Sequence, residues 1–292
     1  MRSAAVANLT ARRRVSTLTR FSRAPGVCGE LHGSPERENL KRALQCAWNN
    51  RQKHWRALRR RAYPAPQTRK KEKVKKLNNK TVILFQGDSI TDGNRIKNNT
   101  TDLNHQIGHS YAYIVSGKLG AENPQGNLQF FNRGISGNRL CDLEKRWQED
   151  CLDLAPDILS ILVGVNDVHF AVYENKKLCP EDFGERYVRL IESALQTNSE
   201  MKIVLCEPFS LCLGGPAEHW EEWHSLLCEV QKQVRIIAEK TGAYFLPLQN
   251  MFDELSKKAP PQHWIWDGVH PTESGHWMIA EKWLELYNDK LN

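Results

Sequence analysis

The sequence predicts an α/β protein in which helices cover both faces of a doubly wound, mostly parallel sheet. Three observations lead to this fold class. From residue 81 onward, short apolar runs alternate along the chain with segments of helical periodicity. The apolar runs show no polar alternation, which is typical of strands that are buried on both faces. The repeated strand–helix order favours one three-layer domain with a parallel sheet.

Five apolar runs predict the strands, and five periodic segments predict the helices. The strands are expected at residues 81–85, 128–131, 158–163, 202–206 and 243–246. The helices are expected at residues 111–119, 140–154, 181–197, 218–240 and about 274–287. The segment 218–240 is the clearest, because its apolar residues recur at helical spacing and Gly242 follows it as a stop signal.

The charge divides the chain into two unlike parts. Residues 1–80 contain 22 Lys and Arg against 4 Asp and Glu, whereas residues 81–292 contain 19 against 30. A strongly cationic segment with few large aliphatic residues repels itself and buries little surface. We therefore predict a basic, mostly disordered extension at residues 1–78 and one globular domain at residues 79–292.

Location is inferred from what the sequence lacks. No run approaches the length of a membrane span, and the N-terminus has no apolar segment of a secretory signal. We expect a cytoplasmic protein. The Arg-, Ser- and Thr-rich start weakly resembles an organellar transit peptide, and the alternatives are a solvated tail or a start codon placed too far upstream. The eight cysteines show no metal-ligand spacing, and several lie within apolar or helical stretches, which suits reduced, buried thiols.

The polar, glycine-rich segments of the domain follow the predicted strands. They are interpreted as loops at residues 87–89, 132–138, 164–167 and 207–216, and Asp267 and His270 come after the fifth strand and a short intervening segment. In an open parallel sheet, ligands bind beyond the carboxyl ends of the strands. These segments are therefore expected to meet at one edge of the sheet.

The residue types in these segments are those of serine-based acyl transfer. Ser89 can supply the nucleophile, His270 the base, and Asp267 the carboxylate that orients the imidazole. The N–H groups of Ser89 and Gly134 and the side-chain amide of Asn166 are candidate donors to an oxyanion. Each residue alone has an ordinary interpretation, such as a helix cap or a turn, and the combination and order favour catalysis.

Other residues near these segments are given structural interpretations. Asp88 and Asp167 are expected to hold loops through hydrogen bonds to the backbone. Arg95 and Arg139 are interpreted as solvated surface residues. Trp266 either lines a substrate pocket or packs, and the sequence leaves both open. Four histidines near the site are interpreted as solvated or structural rather than as metal ligands, because no spaced partner set is present (His105, His109, His169 and His276).

Four blocks, at residues 87–89, 134, 164–167 and 267–270, resemble those of the SGNH (GDSL-type) hydrolase superfamily in order and spacing. Residues 134–138, 146–150 and 266–271 further resemble the branch of intracellular acetyl-xylan esterase-like carbohydrate esterases. The resemblance implies a flavodoxin-like fold and a serine mechanism without metal or cofactor. It also implies deacetylation of sugar hydroxyls, with homo-oligomers in some members.

The leading hypothesis is a serine esterase that removes acetyl or other short acyl groups from a small-molecule or oligosaccharide ester. One alternative is a lysophospholipase or acyl-thioesterase of the same superfamily, with an apolar channel for the acyl chain (Leu211, Leu213, Trp264 and Trp266). A second alternative is binding of nucleic acid or an anionic surface by the basic extension. Aromatic residues are sparse in that extension, so the sequence favours a solvated tail.

Overall fold

A computed structural model of the chain describes residues 80–97 and 103–292. The predicted extension at residues 1–78 lies outside the described residues, as do Cys28 and Cys46. The described part contains a five-stranded sheet that is parallel throughout. Its strands are β1 (Thr81–Gly87), β2 (Leu128–Asn132), β3 (Ile158–Leu162), β4 (Lys202–Cys206) and β5 (Tyr244–Leu246).

The α-helices of the described residues are ten in number, and several are short. They are α1 (Ser89–Asp92), α2 (Leu103–Gln106), α3 (Tyr111–Glu122), α4 (Leu140–Trp147), α5 (Val165–Glu174), α6 (Pro180–Thr197), α7 (Gly214–Glu218), α8 (Trp220–Thr241), α9 (Gln249–Ser256) and α10 (Glu273–Leu286). A π-helical turn, Gln148–Leu152, extends α4, and a second one, Tyr287–Leu291, extends α10.

The strand order is β2-β1-β3-β4-β5, which is the flavodoxin-like order of a doubly wound sheet. On this sheet α3 packs against α10, while α6 and α8 pack against each other. The chain winds outward in both directions from β1, so a crevice opens beyond the carboxyl ends of β1 and β3. The predicted fold class is therefore confirmed, and the topology puts Ser89, which follows β1, at that crevice.

The central strands are buried as their sequences predict. Because both faces of the sheet are covered, its central side chains are completely buried, among them Leu84, Phe85, Leu159 and Leu205. The large side chain of Trp283, from α10, packs on Phe85 and donates its ring N–H to Ser160 Oγ at 3.0 Å. Burial of this apolar surface stabilises the sheet edge from which the polar segments project.

The secondary-structure prediction was wrong in two respects. Residues 164–167, interpreted as a loop, lead directly into α5, and Asn166 is the second residue of that helix. The connection between β5 and Asp267, expected to be a short segment, contains α9 and the 3-10 turn Pro261–His263. Helices this short carry too few apolar repeats to produce a recognisable period.

The cysteines of the described residues are divided between the core and the surface. All six cysteines in the described residues are free thiols, and Cys151 and Cys206 are buried as expected. Cys179, Cys212 and Cys228 are exposed instead. Among residues 80–97 and 103–292, no helix is both long enough and apolar enough to cross a membrane.

Candidate active site

Ser89 lies at the point where β1 ends and α1 begins. Asp88, which is fully buried, caps this helix by accepting the Ile90 N–H at Oδ1 (3.0 Å). Gly87 passes so close to β3 that a Cβ at this position would lie 2.3 Å from the carbonyl oxygen of Leu162. Glycine is therefore required for the chain to turn here, and the turn presents the Ser89 hydroxyl at the carboxyl edge of the sheet.

The imidazole of His270 lies between the Ser89 hydroxyl and the Asp267 carboxylate. Ser89 Oγ is 2.8 Å from His270 Nε2, and His270 Nδ1 is 2.6 Å from Asp267 Oδ2. The other carboxylate oxygen, Oδ1, accepts the backbone N–H groups of His270 (2.7 Å) and Val269 (3.0 Å). These bonds fix both the turn and the ring, and a proton on Nδ1 leaves Nε2 free to accept one from the serine.

The two charges of this turn shift each other's pKa in opposite directions. The hydrogen bond to Asp267 raises the pKa of His270 above 6.5, and it outweighs the burial that opposes it. Burial acts to raise the pKa of Asp267, but the hydrogen bonds from His270 and Val269 prevail and lower it below 3.8. Asp267 is therefore ionised at neutral pH, and it stabilises the protonated form of the ring.

The segment that follows β4 forms hydrogen bonds to the Asp267–His270 turn. The carbonyl oxygen of Gly268 accepts the Leu211 N–H (2.9 Å) and the Ser210 hydroxyl (2.7 Å). Gly268 has a φ of 96°, and a Cβ there would lie 2.2 Å from the carbonyl oxygen of Leu213. The segment that follows β4 therefore supports the turn. Sequence reasoning missed this role of Ser210, since a serine in a loop carries no distinctive signal.

Two of the three predicted oxyanion donors, Gly134 and Asn166, already donate a hydrogen bond within the protein. The Gly134 N–H donates to Asn132 Oδ1 at 2.8 Å. Asn166 Nδ2 donates to the carbonyl oxygen of Asn138 at 3.1 Å, which leaves the second N–H of the same amide. Gly134 lies against α1, where a Cβ would be 2.4 Å from the Asp92 nitrogen.

Asn132, the last residue of β2, connects these segments and was missed by sequence reasoning. Besides accepting the Gly134 N–H, its amide donates to the carbonyl oxygens of Thr91 (2.6 Å) and Ile107 (2.8 Å). The side chain is buried, so these bonds are shielded from water. It ties the end of α1 to the segment that carries Gly134. An asparagine that directly follows the apolar run at residues 128–131 is the signal that could have drawn attention to it.

The acidic residues of the site have the structural contacts that the sequence predicts. Asp167 Oδ2 accepts the Leu140 N–H at 3.1 Å and so joins α5 to the start of α4. Burial raises the pKa of Asp88 to about 7, and it raises that of Asp167 to about 7 as well. Asp88 Oδ2 has no hydrogen-bond partner among the described residues, which agrees with a carboxyl that retains its proton near neutrality.

Two basic residues were wrongly interpreted as solvated. Arg95 is 9% exposed, and its Nε donates to the carbonyl oxygen of Gly134 at 2.9 Å. The guanidinium of Arg139 stacks on the Phe170 ring at 4.3 Å and pairs with Asp142. Long cationic side chains can cover apolar surface and reach carbonyl groups of a neighbouring segment, which a local pattern does not reveal.

His276 lines the same cleft as Ser89 and His270, and its ring has a structural contact. Its Nδ1 accepts the Tyr111 N–H at 3.2 Å. Burial, reinforced by the nearby His270, lowers the pKa of His276 to about 4, so the ring is neutral at physiological pH. A neutral His276 adds no positive charge next to the candidate base.

An open cleft of about 410 Å³ lies in front of Ser89 and His270. Its walls include Asn94, Ser136 and Trp266. The Trp266 ring is 63% exposed and stacks on the His270 ring at a centroid distance of 5.9 Å. Trp266 therefore lines the cleft instead of packing in the core. Leu211 and Leu213, suggested for a long acyl channel, are buried away from it.

A hydroxyl, an imidazole and a carboxylate in series at the carboxyl edge of a parallel sheet are the arrangement of a serine hydrolase. Comparison with known proteins identifies the family. Residues 85–278 match the GDSL-like Lipase/Acylhydrolase family. The chain belongs to this family, and it is a serine esterase, a carboxylic ester hydrolase.

Individual relatives agree with this assignment. The chain is 32% identical over 206 residues to an acetylxylan esterase of Geobacillus stearothermophilus, covering 69% of this chain and 91% of that protein. The crystal structure of Axe2, an acetylxylan esterase of the same species, superposes with a TM-score of 0.61 at 30% identity, covering 70% of this chain and 93% of Axe2. A candidate GDSL-like lipase from Parabacteroides merdae gives a TM-score of 0.68 at 36% identity, covering 73% and 99%.

Proposed function

We propose that the protein hydrolyses acetyl or other short acyl esters of carbohydrates through Ser89, His270 and Asp267. The observation that carries the proposal is the pair of short contacts on either side of the imidazole, 2.8 Å to Ser89 Oγ and 2.6 Å to Asp267 Oδ2. A base within hydrogen-bond reach of a hydroxyl, itself oriented by a third group, is the requirement for nucleophilic catalysis by serine.

In the proposed reaction, Ser89 Oγ attacks the ester carbonyl while His270 Nε2 accepts the hydroxyl proton. The Asp267 carboxylate stabilises the imidazolium that forms, which agrees with the raised pKa of His270. His270 then returns the proton to the departing sugar oxygen. Water attacks the acyl-serine in the same manner, with His270 again as the base, and releases the carboxylic acid and free Ser89.

The negative oxygen of the tetrahedral intermediate is proposed to accept hydrogen bonds from three donors. The Ser89 N–H and the second N–H of the Asn166 amide are not engaged by the bonds described above. The Gly134 N–H is shared with Asn132 Oδ1, so its contribution requires a three-centre bond or a small movement of the Asn132 side chain. Such preorganised donors are commonly the largest electrostatic contribution to acyl transfer.

Two mutant structures of one relative, Axe2, support the roles proposed for the serine and the aspartate. Structures of Axe2 include catalytic mutants in which one serine or one aspartate is replaced by alanine. Another Axe2 mutant replaces the tryptophan that directly precedes that aspartate by isoleucine. This chain has the same Trp-Asp pair at Trp266 and Asp267.

The shape of the cleft favours a sugar ester with a short acyl group. The exposed face of Trp266 is suited to stack on a sugar ring, and Asn94 and Ser136 offer hydrogen bonds to hydroxyl groups. The long-acyl alternative loses support, because Leu211 and Leu213 are buried against the turn of Gly268 rather than lining a channel.

The proposal is tested with Ser89→Ala and a panel of esters. We expect this variant to lose about 10⁴-fold or more of kcat on 4-nitrophenyl acetate, because the nucleophile is removed. The wild-type protein should also release acetate from acetylated xylose and xylo-oligosaccharides, measured by a coupled acetate assay. Thermal unfolding of the variant serves as the control for folding.

Two outcomes would contradict different parts of the proposal. Full activity in a clean preparation of the Ser89→Ala variant removes the serine mechanism. A strong preference of the wild type for octanoyl esters or acyl-thioesters over acetylated sugars keeps the mechanism and replaces the substrate by that of a lysophospholipase or thioesterase.

A further inference from the structure

Next to the candidate site, one guanidinium contacts two of the chain segments that carry oxyanion donors and reaches the third through Asn138. Arg146, on α4, is 14% exposed. Its side chain donates to the carbonyl oxygens of Gly87 (3.2 Å) and Arg133 (2.7 Å) and to Asn138 Oδ1 (2.9 Å). We propose that Arg146 is a positioning residue of the oxyanion hole, an inference that rests on the esterase mechanism proposed above.

The bond to Arg133 acts on the Gly134 donor directly. The Arg133 carbonyl and the Gly134 N–H belong to the same peptide unit, so a cation on the oxygen polarises the N–H and fixes the plane of the peptide. Arg95 holds the following carbonyl, that of Gly134 itself, at 2.9 Å. Arg146 and Arg95 therefore fix the peptide planes before and after Gly134. Both bonds come from charged donors, and such charge-assisted hydrogen bonds are stronger than those between neutral groups.

The bond to Asn138 acts on the Asn166 donor through one intermediate residue. Arg146 Nε donates to the side-chain oxygen of Asn138. The Asn138 carbonyl oxygen accepts one N–H of the Asn166 amide at 3.1 Å. Fixing Asn138 therefore fixes the plane of the Asn166 amide, because the two N–H groups of an amide are coplanar. The second N–H then has a defined direction.

The bond to Gly87 acts on the segment that carries Ser89. The Gly87 carbonyl oxygen also accepts the Ile135 N–H at 3.1 Å, so Arg146 strengthens an existing link between the ends of β1 and β2. Gly87 lies two residues before Ser89, whose N–H is the third proposed donor. One planar cation thus connects the Ser89 and Gly134 segments directly and the Asn166 segment through Asn138, and these three segments must keep their mutual distances during the reaction.

The position of Arg146 is itself secured by its neighbours. Asp150, in the π-helical turn that follows α4, pairs with Arg146 at 2.9 Å and with Arg133 at 3.4 Å. Gln86 Oε1 accepts a further bond at 2.9 Å, and the Gln86 amide donates to the Asp150 carbonyl oxygen. Five acceptors therefore surround the guanidinium, and three of them share the two N–H groups of Nη1. Lysine has neither the number of donors nor the planar geometry.

Thionoesters allow this role to be separated from a general effect on stability. Sulfur is a weaker hydrogen-bond acceptor than oxygen, so the oxyanion donors accelerate attack on an oxygen ester more than attack on its thiono analogue. The experiment measures kcat/KM of the full chain for 4-nitrophenyl acetate and for O-(4-nitrophenyl) thionoacetate. The ratio of the two values reports on the donors, whereas loss of folded protein lowers both values equally.

We expect Arg146→Lys to lower kcat/KM on the oxygen ester about tenfold to a hundredfold, somewhat less than removal of a whole donor. The loss on the thionoester should be several times smaller, so the ratio falls. The pH at which activity is half-maximal should stay unchanged, because Arg146 does not contact His270. Equal fold losses of kcat/KM on the two esters, which leave their ratio unchanged, would overturn the proposal.

Arg186→Lys is the matched control. Arg186 joins α6 to Glu144 of the same α4 helix, with Nε donating to Glu144 Oε2 at 3.0 Å, and it has none of the carbonyl contacts of Arg146. Because it is a partly exposed ion pair, its replacement should change kcat/KM by no more than about twofold and leave the ratio as in the wild type.

A second variant decides the matter if Arg146→Lys does not fold. Asn138→Ala removes the acceptor of Arg146 Nε but keeps the Asn138 carbonyl oxygen, and the ratio should fall in the same direction by a smaller factor. A wild-type ratio in a folded Asn138→Ala variant would overturn the inference. Ser89→Ala separates the two hypotheses: if that variant remains active, the serine mechanism itself has failed, whatever Arg146 does.

Discussion

The acid–base side and the oxyanion side of the candidate site are built in different ways. On the acid–base side, Asp267 and His270 are three residues apart and contact each other within one turn. On the oxyanion side, Gly134 and Asn166 lie on different segments and are held by residues far away in sequence, such as Arg95 and Arg146. The first depends on local chain geometry, whereas the second depends on a network of buried hydrogen bonds.

This difference predicts how each side responds to substitution. A change on the acid–base side should remove proton transfer outright, because one ring performs it. A change on the oxyanion side should give a partial loss, because several donors share the developing charge.

The largest effect is expected for Asp267→Asn. The amide oxygen of the asparagine can still accept the backbone N–H of His270, as Oδ1 does now. The amide NH₂ would then face His270 Nδ1 in place of Oδ2, and it would favour the tautomer in which Nε2 carries the proton. That tautomer cannot accept the Ser89 proton, so kcat/KM should fall about 10⁴-fold. Steady-state kinetics and thermal unfolding of the purified variant are the measurements. A loss of less than about tenfold would show that the carboxylate does not orient the ring in the manner proposed.

A smaller effect is expected for Asn166→Ala. Removing one donor should lower kcat by about 10²- to 10³-fold with little change in KM, because the interaction is made mainly in the transition state. Single-turnover acylation by 4-nitrophenyl acetate measures the step directly. The neighbouring Asp167→Asn variant is a control, since its side-chain oxygen can still accept the Leu140 N–H. If KM rises and kcat is retained, Asn166 binds the ground state instead.

The pH dependence of the wild type should report on the acid–base side. In the proposed mechanism the neutral form of His270 is the base, and the hydrogen bond to Asp267 raises the pKa of His270 above 6.5. Activity is therefore lost as the pH falls through that raised pKa, and kcat/KM should drop about tenfold per pH unit below it. A profile from pH 5 to pH 9 locates the inflection.

Asp88 provides the control for this profile, because burial raises its pKa to about 7, into the same range. In Asp88→Asn the inflection should remain, whereas in Asp267→Asn it should move to lower pH. Disappearance of the inflection in Asp88→Asn would reassign it from His270 to Asp88.

The smallest effect is expected for Ser210→Ala, behind the acid–base turn. The variant loses one hydrogen bond to the Gly268 carbonyl oxygen, which retains the Leu211 N–H, so the free energy of unfolding should fall by about 0.5–1.5 kcal/mol. Activity should change only a few-fold. Denaturant unfolding is the measurement, and Ser116→Ala, which removes an exposed hydrogen bond to the Tyr113 carbonyl oxygen, is the control that should lower the free energy of unfolding less. Equal stability of the two variants would mean that the support from Ser210 is negligible.

Much of the acid–base side could be predicted from the sequence. Five apolar runs located the five strands to within one or two residues at most ends, because strands buried on both faces need apolar side chains at every position. Ser89 directly after such a run, and the spacing of Asp267 and His270, indicated the hydroxyl, the ring and the carboxylate. Local spacing determines the contact between Asp267 and His270, whereas the approach of Ser89 to His270 was expected because the carboxyl ends of parallel strands meet at one edge of the sheet.

The oxyanion side was decided by tertiary structure. The residue types at 134 and 166 were predictable, but the start of α5 at Val165 and the engagement of the Gly134 N–H by Asn132 were not. Arg146 was recognisable as part of a motif, yet its partners come from β1, β2 and the segment before α4. Whether a long polar side chain is buried depends on which carbonyl groups the fold brings within its reach, and that information exists only after the strands have paired.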